Sequence, residues 1–422
     1  MNRVVNVNRV KNKLIKICFV AMFFNAYQIT QLGTYAVTAT TIALAALIIF
    51  GFMTLPAQIK NISLSFLASE FVFFIYIVIS FLYAKSRPGG IMPSLNSVML
   101  AIFFQVALLM SLRTGTWKQS ENDVHFFHKI VNIAAGYGIY QVIGQPIGLP
   151  LVNPWINGHM VEGFNWTETG TTLISGIGLH RAHALFTEPS MFSQIIAINI
   201  LIYLLYDKSG SSKWILLNII ALLASGSGTG MIVLAVGVIC LILMGKIKLT
   251  STTLETFGVL LIGFVLLQIF ASDAIVSIFN RAQEIFGSGS VNTMQAGWTT
   301  SSGYVRFFGV WKICKLAMSQ APLLGIGPGT VDQFISSLAL GIRLTSDNGF
   351  VRIIIEIGLL GLLSYLVTMT YLVKQINNNN KWFFVVIFIL LHFLGNTFLL
   401  DTYWILLIFF SYSVDLNQKE DL

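Results

Sequence analysis

FVRIIIEIGLLGLLSYLVTMTYLV, residues 350–373, carries only two charges, Arg352 and Glu356, and both fall near its start. The stretch is long enough to cross a hydrocarbon core of about 30 Å as a helix. A soluble helix of that length would show a polar stripe along one face, and this one does not. Similar apolar runs recur near residues 17–33, 35–54, 64–84, 91–112, 126–144, 190–206, 214–226, 229–245, 252–271, 382–398 and 400–415. The expected fold is therefore an all-α polytopic integral membrane protein with about twelve transmembrane helices, read as one membrane domain over 1–422.

Composition agrees. Of 422 residues, 55% are hydrophobic and 10% charged, whereas soluble domains carry roughly 25% charged residues. The net charge of +8 would suggest nucleic acid in a soluble protein. Here Arg3, Arg9, Lys11, Lys13 and Lys16 precede the first run, which makes the charge an orientation signal, and no nucleic-acid partner is expected. With the amino terminus in the cytoplasm, Lys60, Arg113, Lys118, Lys208, Lys213, Lys246, Lys248, Lys374 and Lys381 share its side, and only Lys85 and Arg87 break the rule. Both termini then fall in the cytoplasm. No small-residue cleavage site follows the first run, so it reads as a span rather than a leader. Cys18, Cys240 and Cys314 are scattered and suggest neither a disulfide framework nor a metal site.

Two connections, 144–189 and 272–349, are much longer than the rest and both fall on the outer side. Long loops in a compact bundle are usually functional. The first begins irregularly, with Pro146, Pro150 and Pro154, and carries His159, Glu162, Glu168, His180, Arg181, His183 and Glu188. Its most informative string is HRAHALFTEPS, 180–190, in which Glu188, Pro189 and Ser190 read as a helix entry. A cation just ahead of exposed helix-terminal amides suits an anion. Glu188 can equally act as a cap, and the histidines as solvated polar groups.

The second loop holds a surface helix near 304–320, the turn GIGPGT at 325–330 and TSDNG at 345–349. On a helical wheel Phe307, Trp311, Cys314 and Met318 form an apolar stripe beside Lys312, Lys315 and Ser319, while Arg306 points elsewhere. The plain reading is an amphipathic helix on the membrane with snorkelling lysines. The glycine turn lacks a following Lys-Ser or Lys-Thr and is not a phosphate-binding P-loop. Arg352 and Glu356, four residues apart, suit a mutually neutralised pair, and Glu70, His392 and Asn396 are further polar groups within spans. No His-Glu-x-x-His helix, Cys pair or Gly-x-Ser-x-Gly elbow occurs, so a metal-independent reaction without a cofactor, or no reaction, is expected.

Three segments resemble the superfamily of O-antigen polymerases and O-antigen ligases, membrane glycosyltransferases that use polyprenyl-diphosphate-linked glycans at the outer face of the bacterial inner membrane. HRAHALFTEPSMFSQ looks like the family's Arg-containing loop running into a Glu-Pro-Ser helix start. YVRFFGVWKICKLAMSQAPLLGIGPG resembles its later loop, with an Arg, an aromatic helix and a Gly-x-Gly turn. SDNGFVRIIIEIGLLGLLSYL is similar to the segment leading into the next span.

The resemblance implies that Arg181 and Arg306 hold the diphosphate and stabilise its developing charge. It implies that Glu188, His180 or His183 relieves the acceptor hydroxyl of its proton, and that Arg352, Asp347, Asn348 and Gly327 contact substrate. Ligases of the family place a His before the Asn of the last motif, where this chain has Asp347, which favours a polymerase. Neither Arg181 nor Arg306 is followed by the Gly that some polymerases show, since Phe192 and Ala317 stand there. The expected partners are a polyprenyl-diphosphate-linked oligosaccharide, membrane lipid, and a chain-length regulator and flippase of the same pathway. A ligase is the nearest alternative. A transporter or lipid-linked-oligosaccharide flippase is the alternative from another class, although no six-plus-six internal repeat is visible.

Overall fold

Several helices begin where a hydroxyl or amide side chain takes up an otherwise unpaired peptide N–H. Thr38 Oγ1 accepts from the Thr41 amide at 3.2 Å, Ser63 Oγ from Phe66 at 3.2 Å, Ser94 Oγ from Ser97 at 3.3 Å and Asn348 Oδ1 from Val351 at 3.0 Å. The computed structural model describes residues 2–25, 27–32, 35–59, 62–112, 121–149, 172–174, 179–206, 212–247, 309–338, 348–376, 380–395 and 399–412. The expected ninth span, Arg306, Asp347, Asn396 and most of both long loops lie outside the described residues.

Two compact units make up the chain: residues 1–43, 119–278 and 414–422 form the first, and 44–118 with 279–413 the second. The first unit contains α1 (Asn2–Ala21), the hairpin of β1 (Gln28–Leu32) and β2 (Tyr35–Thr38), α5 (Glu121–Gly144), the short pair β3 (Thr172–Ile174) and β4 (Leu179–His180), α6 (Pro189–Tyr206), α7 (Ser212–Ser225) and α8 (Gly228–Leu243). The helix α2 (Ala39–Ile59) starts in the first unit and continues into the second. There it is followed by α3 (Leu64–Ser86), α4 (Leu95–Ser111), α9 (Val310–Gln320), α10 (Val331–Ser337), α11 (Gly349–Gln375), α12 (Lys381–Leu394) and α13 (Asp401–Tyr412). Among the described residues, α3, α6 and α11 are long and apolar enough to cross a membrane, and six shorter apolar helices accompany them.

The run at 17–33 is not one helix. Its helical part ends at Phe24, and Gln28–Leu32 pairs antiparallel with Tyr35–Thr38. The β-branched and aromatic residues Ile29, Thr30, Tyr35, Val37 and Thr38, separated by short turn residues, favour the pleated ladder over a helix.

In the first unit α6 packs against α5, α7 and α8, and almost every residue from Pro189 to Tyr203 is buried. A helix apolar on all sides belongs at the centre of a bundle. Among its polar residues, Asn199 joins a network: its Nδ2 donates to Asn132 Oδ1 at 3.2 Å and to Asn218 Oδ1 at 3.0 Å, and its Oδ1 lies 2.7 Å from His128 Nδ1. Asn218 Nδ2 donates to Asn132 Oδ1 at 2.7 Å, and Asn132 Nδ2 to the Tyr203 hydroxyl at 2.8 Å. Buried amides so paired join α5, α6 and α7 at the cost of little unsatisfied polarity.

In the second unit α3 lies along α11, and α4 packs on α3 and α13. Tyr365 and His392 Nε2 share a 2.7 Å hydrogen bond between α11 and α12. The buried Glu70 takes both of its oxygens to the Gln105 amide, at 3.1 and 3.2 Å once that amide is oriented to donate. The surface helix expected at 304–320 is described from Val310 onward, with its face rotated. Val310, Ile313, Cys314 and Ala317 pack into a core with Phe334, Ile335, Val351 and Ile355, while Trp311 is 43% exposed beside the exposed Lys312 and Lys315. The wheel ranked residues by hydropathy alone, whereas a helix seated on protein turns its smaller side chains inward and leaves the indole outside.

The long helix α11 is interrupted at Gly358, where φ is 80° and ψ is −176°. That region is essentially open only to glycine. A Cβ there would lie 2.2 Å from the Leu323 carbonyl oxygen. Gly358→Ala is expected to lower stability by about 1–3 kcal/mol from backbone strain alone, with the clash added. A fall in the melting midpoint of the detergent-solubilised protein checks this, compared with Gly136→Ala, at which a Cβ meets nothing within 4 Å.

Candidate functional site

Two groups of polar residues hold the sequence-derived candidates, one in each unit. In the first unit, residues 180–184 continue from β4 and are met by two glutamines one turn apart, Gln141 on α5 and Gln145 in the short 3-10 turn that follows it. Gln145 Oε1 accepts from the His180 amide at 2.7 Å, and Gln145 Nε2 donates to the His180 carbonyl at 2.9 Å. Gln141 Oε1 accepts from the amides of His183 at 3.2 Å and Ala184 at 2.8 Å, while its Nε2 donates to the Ala184 carbonyl at 2.8 Å. Ala184 has φ 50°, the only positive value at a non-glycine among the described residues. Such a conformation persists where its surroundings over-determine it, and the Gln141 amide supplies that constraint.

The opposite edge of the segment is tied to the turn between α7 and α8. The Ala182 amide donates to the Ala224 carbonyl at 3.0 Å, and Arg181 Nη1 donates to the Gly226 carbonyl at 3.1 Å. Arg181 is thus held by its backbone neighbour and by its own guanidinium. Glu188 is exposed at the start of α6. Its carbonyl accepts from the Phe192 amide at 3.2 Å, and its Oε2 accepts from the Ser190 hydroxyl at 2.7 Å. It combines the expected cap position with a carboxylate open to solvent.

Burial pushes the His183 imidazole down to about 3, with the neighbouring His180 adding to the shift and hydrogen bonds to backbone groups of Phe186 and Ala184 opposing it. A neutral His183 contributes no positive charge toward a phosphate near neutral pH.

In the second unit the site is built around the break in α11. The freed backbone groups on either side are taken up by residues 322–327: Ile326 N donates to Ile355 O at 2.8 Å and Gly327 N to Glu356 O at 3.0 Å, while Leu359 N donates to Pro322 O at 3.0 Å and Leu360 N to Leu323 O at 3.2 Å. Ser80 Oγ of α3 also donates to Glu356 O, at 2.8 Å. Gly327, expected on the substrate side, therefore has its amide committed to the helix, and its φ of 110° leaves a Cβ 2.7 Å from that of Ala84. The turn is a plug in a broken helix.

Asn348 caps α11 and donates from Nδ2 to the Phe393 carbonyl at 3.3 Å. Arg352 and Glu356 form the expected pair, with Nε 2.8 Å from Oε1 and both side chains buried. Asp332, in the first turn of α10, joins them, its Oδ2 3.8 Å from Arg352 Nη2.

Gln141, Gln145 and Asp332 were not singled out by the sequence reading. The glutamines had a legible signal, two amides at helical spacing, one within an apolar run and one just past its end. Asp332 had none, because its neighbour Arg352 lies twenty positions away.

Replacing Gln141 with Leu leaves peptide groups of a buried segment without partners, which costs about 1–3 kcal/mol for each group stranded. The expected outcome is a lower melting midpoint together with loss of whatever activity depends on Arg181. For His183, the unfolded chain protonates near its ordinary 6.5 while the folded chain resists to about 3. Its contribution to stability is complete above 6.5 and is lost progressively as pH falls toward 3. Melting midpoints from pH 8 to pH 4, for the protein and for His183→Asn, are expected to differ in slope within that window.

Residues 214–366 match the family model described as O-Antigen ligase. No curated protein matches the chain. The matched segment runs from α7 through the Gly-rich turn into α11 and so contains Arg306, Gly327, Asp347, Asn348, Arg352 and Glu356, but not residues 180–188. The match falls on the later motifs already singled out, so this part of the chain is similar to the O-antigen ligase family, and the similarity does not separate a ligase from a polymerase.

Proposed function

We propose that the protein is a polysaccharide polymerase that transfers a glycan from a polyprenyl diphosphate onto a lipid-linked repeat unit at the outer face of the bacterial inner membrane. The observation that carries this reading is the family match over 214–366, joined to Asp347 at the place where ligases of the family carry His. In the topology that goes with it, about twelve spans leave both termini in the cytoplasm and both long loops outside.

In the reaction the acceptor hydroxyl oxygen bonds to the anomeric carbon as the bond from that carbon to the diphosphate oxygen breaks. The electron pair stays on the lipid diphosphate, and the hydroxyl proton passes to a base. Arg181 and Arg306 grip the diphosphate, since guanidinium groups meet phosphate oxygens in pairs and stabilise charge as it develops. Glu188 supplies an exposed carboxylate for the proton, and His180 and His183 are the other candidates. Direct displacement of this kind inverts the anomeric centre and uses no metal.

Purified protein mixed with lipid-linked repeat units in detergent tests the class of activity. Chain growth without any vesicle is expected. Transfer of finished glycan to a lipid or protein acceptor, with no growth, would instead identify a ligase. Arg181→Ala and Arg306→Ala are each expected to abolish long chains while leaving the protein folded, and the Lys variants to restore them only partly. Full-length ladders from either Ala variant would overturn the assignment.

A further inference from the structure

Arg352 sits in the first turn of α11, the end of a helix where its dipole disfavours a cation. Two carboxylates compensate, at very different depths. Glu356, with its side chain 1% exposed, accepts from Arg352 Nε at 2.8 Å, a charge-assisted hydrogen bond. The same residue's carbonyl is held by Gly327 N and Ser80 Oγ, so the break at Gly358 fixes the anchor in place. Asp332 differs in every respect. Its side chain is 52% exposed, its Oδ2 stands 3.8 Å from Nη2, beyond hydrogen-bonding distance, and it belongs to the short helix α10.

The guanidinium thus has one edge locked and one edge only loosely occupied. Asp332 on the Nη edge is half-exposed, whereas Glu356 on the Nε edge is buried. A phosphate oxygen is an anionic acceptor like the Asp332 carboxylate and suits the same Nη edge.

We propose that Asp332 is a placeholder anion: its carboxylate holds the Nη edge of Arg352 until a phosphate oxygen of the lipid diphosphate takes that edge, while Glu356 keeps the guanidinium aimed. This rests on the reading of Arg352 as a residue on the substrate side. Asp332 then opposes binding and Glu356 supports it, although both carry the same charge and both touch the same arginine. Such opposite signs do not arise if the three residues form only a structural ion cluster.

The test uses the full-length protein in neutral detergent, with inorganic pyrophosphate as the binding probe and the lipid-linked repeat unit as donor in the transfer assay. Asp332→Asn is expected to lower the Kd for pyrophosphate and the KM for donor by about two- to fivefold, the scale of one exposed ion pair removed, with kcat not reduced. Asp332→Ser, which also suits a helix start, must move both in the same direction. Glu356→Gln is expected to raise both. In an Arg352→Gln background the Asp332 substitution is expected to have no effect. Unchanged or weaker binding in Asp332→Asn and Asp332→Ser, with Arg352→Gln weakened, overturns the placeholder and leaves the diphosphate reading of Arg352 standing. Unweakened binding in Arg352→Gln overturns that reading itself. A gain seen only for anionic phospholipid, and not for pyrophosphate or donor, would assign the edge to a lipid headgroup and also overturn the proposal.

Discussion

A membrane-crossing helix cannot be interrupted without a substitute partner for each peptide group the interruption frees, because the hydrocarbon offers none. Gly358 interrupts α11, and residues 322–327 supply the substitute through four main-chain hydrogen bonds. The place of the Gly-rich turn, of α10 and of the Arg352 cluster follows from that exchange. The turn must be glycine-rich to lie flat against another backbone, α10 must follow directly from it, and Ser80 of α3 completes the set. Arg352, Glu356 and Asp332 meet because the exchange brings two stretches of chain together that are separated in sequence.

The first unit solves a related problem with side chains. Residues 180–184 have no neighbouring strand along most of their length, and the amides of Gln141 and Gln145 serve as one. A primary amide offers one donor and one acceptor in the spacing of a peptide group, so two glutamines at helical spacing imitate a strand edge. In this way a rigid helix sets the conformation of a loop, including the strained Ala184, and a site on a loop acquires the precision of one built on a helix.

The apolar runs that became α3, α5, α6, α7, α8 and α11 were legible because length and the absence of a polar stripe leave few alternatives. The Arg352–Glu356 pair was legible too, as i and i+4 on one helix. Local pattern misled where two chain segments compete for one residue. Gln28–Leu32 is apolar enough to suggest a span, yet it is drawn into a ladder by Tyr35–Thr38. The glycines at 325–329 read as a turn of their own because their partner, the interrupted α11, lies some thirty residues further on. Trp311 shows the same limit at smaller scale, since hydropathy does not reveal which neighbour has room for an indole.

The asparagine network in the first unit also bears on how the chain is made. Asn132, Asn199 and Asn218 arrive in that order on α5, α6 and α7, and their amides complete one another only when all three helices are present. A nascent chain is built from its amino terminus, so Asn132 and Asn199 are in place before Asn218, their last partner, has been synthesised. A chain that stops short of Asn218 therefore leaves Asn132 and Asn199 each one buried hydrogen bond poorer, and only with α7 in place is the set complete.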